Sequence, residues 1–122
     1  MQECPGDAFC FSRPGTLVAQ PGQVIDSLAR QYRSNELTLI FDMGQYGTSV
    51  DHLSQATQEP TTIDGRSGRM LIADREIVLI VPKVYQSGTF TVQFTMMLKF
   101  EGKASRELAQ RIFQTIAFKP PR

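Results

Sequence analysis

Thr89-Phe90-Thr91-Val92-Gln93-Phe94-Thr95-Met96-Met97-Leu98-Lys99-Phe100 alternates along its length. Phe90, Val92, Phe94, Met96, Leu98 and Phe100 take every second position, with mostly Thr, Gln and Lys between them. Successive strand side chains point to opposite faces, so this run is a long strand with one buried and one wetter face. After Gly102-Lys103-Ala104 the period changes. Ser105 is a suitable N-cap. Leu108, Ala109, Ile112, Phe113 and Ile116 form one stripe, with Arg106, Glu107, Gln110, Arg111 and Gln114 opposite. The expectation is an α+β domain: a twisted, mainly antiparallel sheet of about five to seven strands, with a helix over about residues 104–117 packed on one face. The tail Lys-Pro-Pro-Arg cannot continue that helix.

Upstream, Leu37–Met43 reads as a strand, as do Met70–Ala73 and Ile77–Val81. Ile77–Val81 is apolar on both faces, which puts it inside the sheet with both sides covered. Pro82 is expected to end it, and Gln86-Ser87-Gly88 to turn the chain into the long strand. Thr62-Ile63-Asp64-Gly65-Arg66 reads as a short strand meeting a tight turn that needs positive φ. Residues 44–61 are polar and punctuated by Gly44, Gly47 and Pro60, which reads as a long loop shortened by a helical turn around Val50–Ala56. Val24–Arg33 fits two patterns. Val24, Ile25, Leu28, Ala29 and Tyr32 match a helix face, and the same residues match a strand leading to a turn at Ser34-Asn35-Glu36. Pro-Gly occurs three times in the first 23 residues, so residues 1–23 read as a turn-rich segment. Phe9, Phe11, Leu17 and Val18 can pin it, as one or two short strands, to a single domain over residues 24–122.

The chain has 122 residues, 41% hydrophobic and 20% charged, which suits one folded domain. Net charge is +1, which exerts no general pull on nucleic acid. Residues 1–61 hold three basic and seven acidic side chains, and residues 62–122 hold ten and five, giving −4 and +5. Two halves folded against each other intermix such charges; a basic face docking an acidic partner is the sharper reading. No basic run exceeds two residues and no aromatic interleaving suits stacked bases, so no nucleic-acid partner is expected. No segment has the roughly 18 apolar residues of a membrane helix. The start, Met-Gln-Glu-Cys-Pro-Gly, lacks the basic and apolar parts of a secretory signal. That fits a cytoplasmic protein, or a mature fragment whose leader has been removed.

Cys4 and Cys10 are the two cysteines, and Pro5-Gly6 favours a turn that brings them together. A disulfide is expected, and with it an oxidising compartment. Unpaired thiols in a mobile N-terminus are the alternative. The spacing is not that of redox or zinc motifs, and no second pair exists to complete a metal site.

Residues that carry chemistry are few. His52 is the single histidine, which excludes a multi-histidine metal site. Asp51 and Ser54 are its neighbours in sequence, but a triad is a spatial geometry. Its ordinary reading is a solvated loop histidine. Asp42 and Tyr46 lie where a strand exits into a loop. Asp42 can bind a cation or hydrogen-bond a ligand, and Tyr46 can stack on one. An ordinary turn is the simpler account. Arg66 and Arg69 in Asp64-Gly65-Arg66-Ser67-Gly68-Arg69 can hold a phosphate or carboxylate, but the run lacks the spacing of a phosphate loop and reads first as a hairpin turn. Met96-Met97 reads as one core residue and one on the outer face, beneath a helix.

Two stretches together resemble a family of bacterial exported, lipoprotein-like proteins. One is Ile25-Asp26-Ser27, Tyr32-Arg33-Ser34 and Leu39-Ile40-Phe41-Asp42-Met43-Gly44-Gln45-Tyr46; the other is Thr62-Ile63-Asp64-Gly65-Arg66 and the strand after it. The C-terminal order, from the Ile-Asp-Gly turn to a helix ending Ile-Phe-Gln-Thr-Ile-Ala-Phe, is similar to the wider PsbP-like fold. The resemblance spans residues 24–118. It implies an antiparallel sheet flanked by helices, a hairpin at residues 24–43, and a periplasmic or lipid-anchored location behind a removed leader. It lends no catalytic residue, because that group has no assigned chemistry; members of the wider fold serve mainly as binding or assembly subunits. The expected function is a non-enzymatic extracytoplasmic interaction domain that needs no cofactor and binds another protein of the cell envelope; an inhibitor or immunity protein that neutralises a toxin is a specific version. The alternative is a small hydrolase or ligand-binding enzyme using Asp42, Tyr46, His52 and Arg66, which requires those groups to converge in one pocket.

Overall fold

A computed structural model of the protein describes residues 1–21, 28–44 and 49–119. The elements are β1 (Gln2–Glu3), β2 (Phe9–Ser12), β3 (Val18–Gln20), β4 (Leu28–Arg33), β5 (Leu37–Gly44), β6 (Thr57–Ile63), β7 (Arg66–Ile72), β8 (Glu76–Ser87), β9 (Phe90–Phe100), α1 (Arg106–Phe113) and β10 (Ala117–Phe118). Short 3-10 turns occur at Pro5–Asp7 and Asp51–Leu53. The main sheet has seven strands in the order β3-β4-β5-β9-β8-β7-β6, and a second sheet has the order β1-β2-β10. All the pairings are antiparallel. The protein is therefore an α+β domain of the expected class.

The long alternating run is β9, at the centre of the main sheet. Phe94, Met96 and Leu98 are fully buried on its inner face, level with Leu39 and Phe41 of β5 and with Ile77, Leu79 and Val81 of β8. Phe9 and Phe11 of β2, with Ala109, Ile112 and Phe113 of α1, complete this core. Phe9 meets Phe41 and Phe94 edge-on, with ring centroids 4.9 Å apart in both cases. Phe118 of β10 meets Phe94 in the same way at 5.3 Å. Burying such rings contributes on the order of 2 kcal/mol each, plus about 1 kcal/mol for each well-oriented pair. On the outer face Val78, Leu71 and Met97 form a smaller cluster under Leu53. The cover over Met97 is thus a 3-10 turn and its flanks, where a helix was expected.

The structure departs from the sequence expectations at several places, each for a physical reason. The helix is shorter than residues 104–117. Ser105 caps it as expected, accepting from the Leu108 amide at 3.2 Å. It stops at Phe113, because the chain turns through Gln114 and Thr115 to pair with β2 (Ala117 with Cys10, Phe118 with Phe9). Pro82 does not end β8. The register shifts between Val81 and Tyr85, and a residue without an N–H is tolerated in such an irregularity. β8 then runs to Ser87, so the turn is Gly88-Thr89. The polar loop ends earlier than expected, because Thr57–Ile63 forms an edge strand that accommodates Pro60. Leu28–Arg33 is a strand and closes a hairpin with β5; residues 24–27 lie outside the described residues. Phe9, Phe11 and Leu17 do pin the N-terminal segment, but Val18 is 61% exposed.

Two devices hold that segment. Cys4 and Cys10 form a disulfide around the 3-10 turn, with Cα atoms 4.0 Å apart. Gly6 takes φ 57° in that turn and lies against Leu28. The second device is polar. The Tyr32 hydroxyl donates to Glu3 Oε2 at 2.5 Å, and Arg13 Nη2 donates to Glu3 Oε1 at 3.0 Å. The Arg13 guanidinium lies over the Tyr32 ring, 5.2 Å from its centroid, and Nη1 donates to the Leu17 carbonyl. The hydrogen bond from Tyr32, with help from Arg13, holds the Glu3 carboxyl below its ordinary value of 4.5 against the opposing effect of burial. Burial, and then the bond to Glu3, push the Tyr32 phenol well above its ordinary 10.

These shifts make stability depend on pH in a defined direction. The Glu3 contribution is complete above pH 4.5 and is lost as pH falls below it towards the lowered folded value. The Tyr32 contribution is complete below pH 10 and is lost as pH rises towards the raised one. Glu3→Gln should cost about 1 kcal/mol at pH 7, and less at pH 3.5. Urea melts of both proteins at the two pH values check this; equal differences at both would refute it.

Candidate functional site

Four connections meet at one end of the main sheet: the Pro14–Leu17 stretch, the β4–β5 turn, the β7–β8 turn and the β9–α1 loop. Backbone bonds tie them together. The Glu101 amide donates to the Glu36 carbonyl at 3.0 Å, the Ala104 amide to Asp74 at 2.7 Å, and the Phe100 amide to Arg75 at 2.8 Å. Two grooves open between them. The first, of about 640 Å³, has an apolar floor of Leu17, Leu37, Phe100 and Leu108 and a polar rim that includes Thr16, Glu36, Glu101 and Lys103. The floor is apolar because the core reaches the surface here: Leu17 and Leu37 are buried, and Phe100 and Leu108 are partly buried against them. The second, of about 550 Å³, lies beyond Lys103, which lines both, and includes His52, Thr57, Asp74 and Arg106.

The sequence-derived candidates separate. His52 stands at the second groove, half-exposed, with Nε2 3.1 Å from Oε1 of the largely buried Glu76. No hydroxyl or thiol hydrogen-bonds it among the described residues. Arg66 is at the opposite end of the sheet. Its Nε donates to the Val84 carbonyl at 2.8 Å, and its Nη1 to the Asp64 carbonyl at 2.8 Å and to Asp64 Oδ2 at 3.3 Å. The guanidinium lies over Phe118, 5.0 Å from the ring centroid. Asp64 and Gly65 both take positive φ, as the Asp-Gly turn was expected to require. Glu76 and Val84 are eight positions apart on β8, so roughly 25 Å lies between the His52 and Arg66 sites. Asp42 is half-buried on the outer face of β5, between Ala29 of β4 and Thr95 of β9. Tyr46 lies outside the described residues. Three of the four candidates thus occupy three different places.

Sequence reasoning missed Glu76, which falls between the stretches read as strands at Met70–Ala73 and Ile77–Val81, and the first groove altogether. Glu76 carried no signal, since its partner is 24 residues away. The groove floor is made of residues that read as core. Among the described residues no cluster of His, Cys, Asp and Glu can hold a metal ion, and no helix is long and apolar enough to cross a membrane.

Arg66 acts here as a clamp between the Asp64-Gly65 turn, β8 and β10. Arg66→Lys should therefore lower stability by about 1–2 kcal/mol, because lysine cannot make the forked bonds and the ring contact together. Urea denaturation reads this, and an unchanged midpoint would exclude the clamp.

No protein-family model, curated protein or solved structure matches this chain.

Proposed function

We propose that this chain is a non-enzymatic interaction domain of the cell envelope, related to the exported proteins with a PsbP-like fold that its sequence resembles. The observation that carries this reading is the apolar-floored first groove, which lies beside the edge strand β3 with its exposed Val18. A concave apolar surface with a few convergent polar groups is the default binding site of a small domain. The disulfide supports an oxidising compartment. It uses both cysteines of the chain.

A photo-crosslinking side chain placed at Thr16 or Val18 should yield a discrete adduct with an envelope protein. The same group at Gln110, on the exposed side of α1, should not. No adduct from the groove, or a protein recovered in the cytosol with both thiols free, would refute the proposal.

A second reading, a small hydrolase, rests on the His52–Glu76 hydrogen bond beside the second groove. A carboxylate that orients an imidazole lets it take a proton from water, and Lys103 on the same groove can stabilise a developing oxyanion. Its consequence is hydrolysis of p-nitrophenyl acetate that falls at least about tenfold in His52→Ala. Equal rates in the two proteins would end it.

A further inference from the structure

The two edges of the main sheet are built differently. At β6, Pro60 has no N–H to offer, and Glu59 is held by an ion pair with Arg106. Such features discourage strand addition. At β3 the sequence is Val18-Ala19-Gln20, with no charge and no proline, and no strand pairs with its outer side among the described residues. The Val18 carbonyl is engaged by a side chain, the Gln20 amide, at 2.9 Å. A neighbouring strand can displace that contact without unfolding anything.

The surroundings of β3 form a track. A further hollow of about 510 Å³, lined by Val18, Arg33 and Asn35 among others, shares Thr16, Ser34 and Glu36 with the first groove. The two are contiguous at the end of the sheet where β3 begins, beside Val18 and its partner Arg33. Glu36 stands where they join, and Glu101 is bonded to it through the backbone at 3.0 Å. Both carboxylate side chains are exposed, and neither has an ion pair among the described residues. Two cations also line the track: Arg33 on the further hollow, and Lys103 on the first groove, which it shares with the second groove and Asp74.

We infer that the occupant of this surface is an extended polypeptide segment that adds to β3 as a further strand and carries a large apolar side chain two positions from a lysine or arginine, so that both face the groove. This rests on the interaction reading above. Main-chain bonds to the β3 edge supply attachment, and alternate side chains supply selectivity. The apolar side chain lies on Leu17, Leu37, Phe100 and Leu108, and the cation faces Glu36 and Glu101. Three edge residues offer few main-chain bonds, so the groove contributes a large share of the affinity.

A library of short random peptides, selected on the immobilised full chain, tests this. Recovered peptides should pair Leu, Ile or Phe with a Lys or Arg two positions away. Fluorescence anisotropy with labelled copies should show at least about tenfold weaker binding to the double variant Glu36→Lys, Glu101→Lys. Thermal melting of that variant, both changes being on exposed side chains, checks that it still folds. N-methylation of alternate peptide amides should abolish binding on one edge of the peptide and be tolerated on the other, a result that needs no protein variant. Peptides without basic residues, binding indifferent to the charge reversal, tolerance of N-methylation at every amide, or an empty selection would each overturn the inference. If any of these occurs while Thr16 and Val18 still crosslink to an envelope protein, the interaction reading stands and the extended basic segment alone is excluded.

Discussion

The edge-on packing of Phe9 against Phe41 and Phe94 is the contact on which the rest of the structure depends. It joins the N-terminal layer to the middle of the main sheet. Without it, the inner face of β5, β9 and β8 would have only the eight-residue helix α1 for cover. A helix that short cannot shield the inner side of seven strands. The aromatic cluster therefore explains why the first twelve residues, rich in turn formers, are nonetheless part of the fold. The disulfide and the Glu3–Tyr32–Arg13 group both serve to keep Phe9 and Phe11 where they are.

That arrangement also decides where a site can form. The disulfide and β10 close one end of the molecule, where Lys119 bonds to Ala8 and Asp7. The other end is closed only by short connections tied through backbone hydrogen bonds, and both grooves described above open there. Leu17 and Leu37 are buried by the layers, while Phe100 and Leu108, packed against them, are left partly uncovered at that margin. The candidate binding surface is thus a by-product of how the layers end.

Much of the architecture was legible because alternation and amphipathicity are local signals. β9, β5, the apolar stretch of β8, the Ser105 cap and the Asp64-Gly65 turn were all readable from neighbouring letters. β10 was not, since two residues have no pattern and their pairing with β2 spans more than a hundred positions. β6 hid behind polar letters because an edge strand buries little, and only Ile63 in it is fully buried. Pro82 misled because its effect depends on whether the ladder is regular at that point. For the candidate site the lesson is sharper. The resting partner of His52 comes from β8, and Arg66 spends its hydrogen bonds on its own turn and on β8. Residue type suggested chemistry in both cases, and location assigned different roles.

Strand order has a consequence for the newly made chain. β5 emerges early, yet its second neighbour, β9, is the ninth strand, and β2 waits for β10 at residues 117–118. On a ribosome delivering residues in order, the first half of the polypeptide is complete long before anything can seal it. Non-local pairing of this kind delays closure until nearly the whole chain is available. The pairings of β5 with β9 and of β2 with β10 therefore join the two ends of the gene's reading order, and the layer built by the first residues is completed by the last.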